Sequence, residues 1–259
     1  MTKPILYATV VAIALWMIAP MLVVIVTSFT DTPSFNFPPS GYSLRWYENF
    51  FANQAWRASF INTTLVAALV TITATTIGTL AAIGLHKGRF FGKSAMTGLM
   101  LAPLIVPGIL VAIGLYSVFI QLNMLGSLPG FVIAHTVVAL PLVIINVMTA
   151  LSTFDSRLEQ AASSLGAGRW EIFRRITMPL IMPGVLAGAV FAFITSFDEI
   201  IISLFIQSPR LQTLPVRMFQ SVTQDTDPTV AAVAVLMMLV SVGLAALTRL
   251  IKPRSGSKQ

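Results

Sequence analysis

Asp198 and Glu199 are the only acidic residues inside a long apolar segment, and their carboxylates are the groups best suited to contact a solute. A carboxylate at the bilayer centre costs about 2.5–3.5 kcal/mol on insertion scales, so such a group usually faces a cavity or a partner. If one helix starts at Pro179, Asp198 lies about 28 Å along it, in the outer half of the membrane, and its neighbour points about 100° away. We therefore expect Asp198 and Glu199 to lie beside a cavity or a path, with Asp198 facing it where a cation could pass. A structural hydrogen bond from Asp198 to another helix is the equal alternative.

Other chemistry is excluded by residue type or spacing. The two histidines, His86 and His135, are too few and too far apart for a metal site, and the chain has no cysteine. The segment HKGRFFGKS (86–94) resembles a phosphate-binding loop, but three residues separate Gly88 from Gly92 where that loop requires four. With no H-E-x-x-H or G-x-S-x-G motif either, the sequence predicts no catalysis, no metal site and no nucleotide site in this chain.

The composition indicates a membrane protein. Of 259 residues, 56% are hydrophobic and 10% are charged, whereas a soluble domain has roughly 25% charged residues. The net charge is +7, but the basic residues do not form the single patch that nucleic-acid binding requires. The first apolar run, 5–28, is too long for a signal peptide and has no small-x-small cleavage site, so we interpret it as a retained span.

Six apolar segments are long enough for a spanning helix of about 20 residues. They are 5–28, 59–85, 95–121, 130–151, 179–205 and 229–250. Helices satisfy every backbone polar group within the segment, as hydrocarbon requires. The sequence therefore predicts an all-α membrane protein with six transmembrane helices, in a single domain of residues 1–259.

The distribution of Lys and Arg predicts the orientation. If the N-terminus is cytoplasmic, 12 of the 16 basic residues lie on the inner side, as the positive-inside rule requires. These are Lys3, Lys87, Arg89, Lys93, Arg157, Arg169, Arg174, Arg175, Arg249, Lys252, Arg254 and Lys258. Both termini are then cytoplasmic, and the positive charge is mainly a topology signal.

The predicted spans are not uniform. The second is rich in Thr, Ala and Gly, which permit close approach of helices in lipid. The third contains Pro103 and Pro107, and the fourth contains Pro141. These prolines fit either packing kinks or a transport pathway.

The predicted inner loop 152–178 has the pattern of two short helices joined by a turn. Residues 159–165 favour a helix, Gly166 and Gly168 can end it with a positive φ, and Trp170, Phe173 and Thr177 share the face of a second helix. Pro179 and Pro183 then begin the fifth span. Such an amphipathic element fits another protein's surface or the lipid headgroups equally well.

This loop resembles the cytoplasmic signature loop of permease subunits in binding-protein-dependent ABC importers. That signature reads E-A-A, three residues, G, then about nine residues before I-x-L-P. Here the matching residues are Gln160, Ala161, Ala162, Gly166, Ile176, Thr177, Met178 and Pro179. Gln160 occupies the glutamate position, with Glu159 one place earlier, and Met178 replaces leucine. Segment 43–69 is similar to the outer amphipathic segment and second span of these permeases. Segments 155–205 and 213–222 most resemble the branch that imports spermidine and putrescine, although Ala231 stands where an asparagine is frequent in the family.

The resemblance implies a type I ABC importer permease fold in which the 152–178 loop is the coupling helix, seated in a groove of an ATPase subunit. The implied coupling residues are Glu159, Gln160, Ala161, Ala162, Gly166, Ala167 and Arg169. It further implies two ATP-binding subunits that hold ATP and Mg²⁺, a second and different permease subunit, a solute-binding protein and a location in the bacterial inner membrane. The chain would form half of a pathway for a polyamine or related amine, without a cofactor or nucleic acid. Asp198 and Glu199 would then belong to the translocation pathway or its gate, with a hydrogen bond from Asp198 to the partner subunit's helix as the equal alternative.

Two alternatives remain at this stage. A self-contained ion-coupled carrier or channel would show ionisable relays or inverted repeats with broken helices.

The aromatic residues of segment 35–56 favour anchoring at the membrane interface, with contact to a solute-binding protein as the other interpretation. They are Phe35, Phe37, Tyr42, Trp46, Tyr47, Phe50, Phe51 and Trp56.

Overall fold

The structure is a computed structural model that describes residues 3–225 and 227–250, with the backbone alone for 225 and 247–250. These residues form helices, and their only strand-like pairing is two isolated bridges. The predicted inner cations Lys252, Arg254 and Lys258 lie outside the described residues. The chain divides into two compact units, Met1–Phe60 with Leu214–Val242 and Ile61–Thr213 with Gly243–Gln259.

Twelve α-helices follow in chain order within the described residues. They are α1 (Lys3–Thr27), α2 (Arg45–Ala52), α3 (Gln54–Lys87), α4 (Lys93–Leu101), α5 (Gly108–Gln121), α6 (Leu128–Ser152), α7 (Arg157–Ser164), α8 (Arg169–Ile172), α9 (Met178–Phe197), α10 (Ile201–Ile206), α11 (Leu214–Gln220) and α12 (Thr229–Leu250). A 3₁₀ turn, Ala102–Leu104, follows α4, and π-helical turns follow α8 (Phe173–Thr177) and α11 (Ser221–Asp225).

Five helical stretches of the described chain are individually long and apolar enough to cross a membrane: α1, α3, α6, Arg169–Phe197 and α12. The predicted third span, 95–121, is instead broken into two helical pieces, Lys93–Leu104 and Gly108–Gln121, that meet at 99°. Pro103 and Pro107 explain the break, because proline removes a backbone donor and clashes with the preceding turn. The sixth span exists only if this bent pair is counted as one.

Close packing of α6 against α9 forms the centre of the second unit. A Cβ added at Gly184 of α9 would lie 2.5 Å from the Cβ of Ala150, and one at Gly188 would lie 3.1 Å from the Cα of Val143. A Cβ at Gly78 of α3 would meet the other side of Val143 at 2.8 Å. Small residues let helix backbones approach closely where lipid gives no hydrophobic drive, so the small residues of the second predicted span do mark a packing face.

In the first unit, α2 buries part of the aromatic segment 35–56. Trp46, Phe50 and Trp56 are each at most 7% exposed, and the Trp46 indole donates to the carbonyl of Thr30 at 2.7 Å. These three rings form core contacts rather than the predicted interfacial anchor. Other aromatic residues of the segment remain exposed: Phe35, Phe37, Tyr42 and Phe51.

Candidate functional site

The 152–178 loop has the predicted helix–turn–helix form. Helix α7 ends in a Schellman motif, in which the Ala167 amide donates to the carbonyl of Ala162 and the Gly166 amide to that of Ser163, each at 3.0 Å. Gly166 has φ +85°, the left-handed conformation that this motif needs at its C′ position. Gly168 has φ −70° instead and precedes α8 in an extended conformation. A single glycine therefore makes the turn.

Glu159 is bound within its own chain. Its Oε1 accepts from the Lys87 ammonium at 2.6 Å and from the Thr177 hydroxyl. Burial opposes the charge, but the bonds from Lys87 and Thr177 outweigh that effect, and the pKa of Glu159 lies below its ordinary value. Glu159 is therefore ionised at neutral pH and ties α7 to the end of α3 and to the turn before α9.

Two cavities flank Glu159. The first, of about 340 Å³, is lined by Lys87, Glu159, Gln160, Ser163, Arg169, Ile172, Phe173 and Thr177. The second, of about 300 Å³, is lined by His86, Lys87, Gly88, Arg89, Lys93, Phe154, Ser156 and Glu159. The predicted coupling residues Gln160 and Arg169 thus line the first cavity, with Glu159 between the two.

The seven predicted coupling residues differ in how exposed they are. Gln160, Ala161, Gly166 and Arg169 are exposed, whereas Glu159, Ala162 and Ala167 are half-buried. Two large apolar side chains absent from the predicted set are also exposed, Leu165 at 88% and Trp170 at 71%. Both lie within four residues of Gly166, one on each side of the turn, and this proximity to the predicted coupling residues was the available sequence signal.

Asp198 and Glu199 lie in a helix break rather than within one continuous helix. Helix α9 ends at Phe197, and α10 begins at Ile201. Glu199 Oε1 accepts from the amide of Ile202 at 2.8 Å, so it caps the start of α10. Asp198 is exposed. The expectation of two acids 100° apart on one helix is therefore wrong, because the cap and the break set their directions.

His135 holds the two sides of this break together. It is fully buried in α6, with Nδ1 2.9 Å from the Ser196 hydroxyl of α9 and Nε2 3.0 Å from the Ser203 hydroxyl of α10. A neutral imidazole has one donor and one acceptor nitrogen, which matches two hydroxyl partners. From the sequence we considered His135 only as a metal ligand, and the signal for its structural role was that it is the one ionisable residue of the apolar segment 130–151.

Long apolar helices, a bent helix pair and a charged loop between two spans define a multi-pass membrane protein. The chain belongs to the family described as binding-protein-dependent transport system inner membrane component, whose model matches residues 74–257. It is a permease subunit of a binding-protein-dependent ABC importer and not a catalytic subunit. The alternative of a self-contained carrier is thereby set aside.

Curated relatives in this family span most of the chain. The spermidine/putrescine transport system permease protein PotC of Haemophilus influenzae is 31% identical over 89% of this chain and 90% of its own length. PotC of Escherichia coli K12 is 30% identical over 93% and 90%. The putrescine transport system permease protein PotI of the same organism is 30% identical over 85% and 80%.

Two solved structures share the fold. A bacterial ABC transporter involved in import of the acidic polysaccharide alginate matches with a TM-score of 0.74 at 15% identity, covering 95% of each chain. The MetNI methionine ABC transporter matches with a TM-score of 0.60 at 17% identity, covering 78% of this chain and 100% of the other. At these identities the likeness concerns the type I importer permease fold alone.

Proposed function

We propose that this chain forms half of the translocation pathway of an ATP-driven importer for a polyamine or a related organic amine. The observation that supports this most strongly is its similarity to polyamine permeases at 30–31% identity over about nine-tenths of the chain. The exposed carboxylate of Asp198 supports the same substrate class, because it would attract a cation passing the α9–α10 break. Glu199, whose carboxylate caps α10, would hold that break in shape.

The 152–178 loop is the docking site for an ATPase subunit on the cytoplasmic side. Leu165 and Trp170 supply apolar contact area, and Gln160 and Arg169 supply polar contacts around it. Exposed aromatic and aliphatic groups with polar neighbours are typical of interface centres. ATP and Mg²⁺ bind in the ATPase subunits, and this chain holds no cofactor.

The full assembly contains this chain, a different permease subunit, two ATP-binding subunits and a solute-binding protein, in the bacterial inner membrane. Both termini of this chain then lie in the cytoplasm, as the basic residues of its loops predict. Solute arrives from the binding protein on the opposite side. Motion of the ATPase pair reaches the spans through the 152–178 loop.

Transport by the reconstituted assembly tests this function. Proteoliposomes containing both permeases and the ATPase, with the binding protein outside, should take up labelled spermidine or putrescine only when ATP is inside. Molybdate is the matched competitor, because the molybdenum transport permease ModB of Haemophilus influenzae is also 34% identical over 61% of this chain. Uptake of molybdate without polyamine would overturn the substrate class, and uptake without the ATPase would overturn the importer.

A further inference from the structure

Three separate elements of the second unit meet at the carboxylate of Glu159. Lys87 is the last residue of α3, Glu159 lies in the first turn of α7, and Thr177 ends the π-helical turn before α9. The ammonium and the hydroxyl both donate to Oε1 of Glu159. One side chain therefore connects α7 to the end of α3, 72 residues away along the chain, and to the turn before α9, 18 residues away.

The setting of this cluster differs from that of an ordinary surface ion pair. The Lys87 side chain is 42% exposed, but that of Glu159 is only 20% exposed, and Thr177 is fully buried. In contrast, Glu171 and Arg175 form an ion pair within one stretch of helix and are 48% and 77% exposed. Exposed pairs of that kind contribute little because solvent screens them, whereas breaking a partly buried, hydrogen-bonded group leaves a polar atom without its partner.

The π-helical turn Phe173–Thr177 helps to bring Thr177 to Glu159. Such a turn accommodates one more residue than an α-helical turn and often occurs at functional sites. Without that residue the following side chains would be rotated by about 100° around the helix axis, and Thr177 would point away from α7. The π-helical backbone therefore favours the same hydrogen bond that the Thr177 and Glu159 side chains form.

The adjacent residues Glu159 and Gln160 face different ways. Residues next to each other on a helix point about 100° apart, and here Glu159 faces inward while Gln160 is exposed. Gln160, at the signature position, remains accessible to a partner. Oε1 of Glu159 is already bonded to Lys87 and Thr177 of the same chain.

We propose that Glu159 is a positioning residue that makes α7, the end of α3 and the start of α9 move as one rigid body. The inference rests on the proposed function of the loop as the ATPase docking site. A push on α7 would then reach both spans directly, and the contact would stay closed throughout the transport cycle. Gln160, Leu165 and Trp170 would bind the partner, and Glu159 would pass the motion on.

The test compares coupling with assembly in the complete reconstituted transporter, with spermidine as the solute. Glu159→Ala, Lys87→Met and Thr177→Val should keep the ATPase bound, while spermidine taken up per ATP hydrolysed falls by at least about fivefold, the lower end of typical coupling between sites. Glu171→Gln, which removes the exposed ion pair of the same loop, is the matched control and should stay within about twofold of the wild type. Unchanged uptake per ATP in Glu159→Ala would overturn the proposal.

A cross-link tests rigidity directly, because the chain has no cysteine of its own. In the double variant Lys87→Cys/Glu159→Cys, a short bis-methanethiosulfonate linker should restore the uptake per ATP that the unlinked variant loses. If the linked protein is further inhibited, the contact must open during transport and the proposal fails.

Three further outcomes separate the causes of failure. If Glu159→Ala does not assemble, the charge-reversed pair Lys87→Glu/Glu159→Lys must recover assembly and coupling, and failure to do so counts against the ion pair. If the wild-type chain binds no ATPase or transports spermidine unaided, the proposed function fails. If the wild type is coupled and the Glu159 variants match it, only the rigid link fails.

Discussion

The two ends of α9 are held by different chemistry. At its start, an ionised carboxylate of Glu159 joins Lys87 and Thr177 beside two open cavities. At its end, a fully buried imidazole of His135 joins two serine hydroxyls across a helix break. Charge is tolerated where water reaches it, but an unpaired charge in an apolar interior costs far more than a neutral hydrogen bond.

This difference suggests that the two ends of α9 have different functions. The first end carries the exposed apolar groups that suit a protein partner, and the second carries an exposed acid that suits a cation. Between the two ends, Gly184 and Gly188 hold α9 tightly against α6. Variants of the exposed apolar groups at the first end should therefore change association with the ATPase, and variants of the exposed acid at the other end should change solute transport.

The largest effect is expected at the buried end. His135→Ala removes both hydrogen bonds and leaves a cavity with two unsatisfied hydroxyls, so the complex should lose about 2–4 kcal/mol of stability. Thermal unfolding of the purified complex measures this loss. Combining His135→Leu with Ser196→Ala and Ser203→Ala should recover part of it, because apolar replacement of both partners removes the unsatisfied groups. If the His135→Ala complex unfolds at the wild-type midpoint temperature, the two hydrogen bonds of His135 do not stabilise the helix break.

Asp198→Asn should produce the next largest effect, and on transport alone. Loss of a charge-assisted contact costs about 1.5–3 kcal/mol, so polyamine uptake should fall roughly 10- to 100-fold while the purified complex keeps its composition. Initial uptake rates and co-purification of the ATPase give the two readings. Unchanged uptake would remove Asp198 from the pathway and favour the structural role at a partner helix.

A smaller effect is expected at the loop. Leu165→Ala and Trp170→Ala should each weaken binding of the ATPase by about 1–2 kcal/mol, as truncation of exposed interface anchors does. Titration of the detergent-purified permease pair with ATPase measures the affinity. Leu158, also exposed on α7 at 47%, provides a comparison variant, and an equal loss in Leu158→Ala would mean that the contact is not centred on the turn.

Glu199→Gln should give the smallest effect. The amide oxygen of glutamine can still accept from the Ile202 amide, so stability should change by less than about 1 kcal/mol. Glu199→Ala removes the acceptor and should cost more. A collapse of uptake in Glu199→Gln, equal to that of Asp198→Asn, would mean that charge at both positions serves the solute, and the two acids would no longer be distinct.

Local patterns predicted the parts of this fold that local physics controls. Continuous apolar runs predicted α1, α3, α6 and α12 to within a few residues, because hydrocarbon leaves a helix as the way to satisfy the backbone. Gly166 predicted the turn of the 152–178 loop, because its conformation favours glycine. The prolines of the third segment predicted kinks, but not that a 99° bend would divide it into two helices.

The candidate site was predicted only in outline. The sequence placed Asp198 and Glu199 in one helix, since nothing in the apolar run signals that it stops at Phe197. It grouped Glu159 with the coupling residues, although the structure binds this side chain internally. Leu165 and Trp170 were absent from the predicted coupling set, and the structure shows both side chains to be exposed.

The sequence alone determined that this chain lies in a membrane, where most of its helices run and which loop interrupts them with charge, because composition and periodicity act over neighbouring residues. The tertiary structure decided that the Glu159 side chain faces inward and that the fifth span breaks after Phe197. Those decisions depend on partners 72 residues from Glu159 and 61 and 68 residues from His135. Contacts at such separations arise from packing, and no local pattern in the chain specifies them.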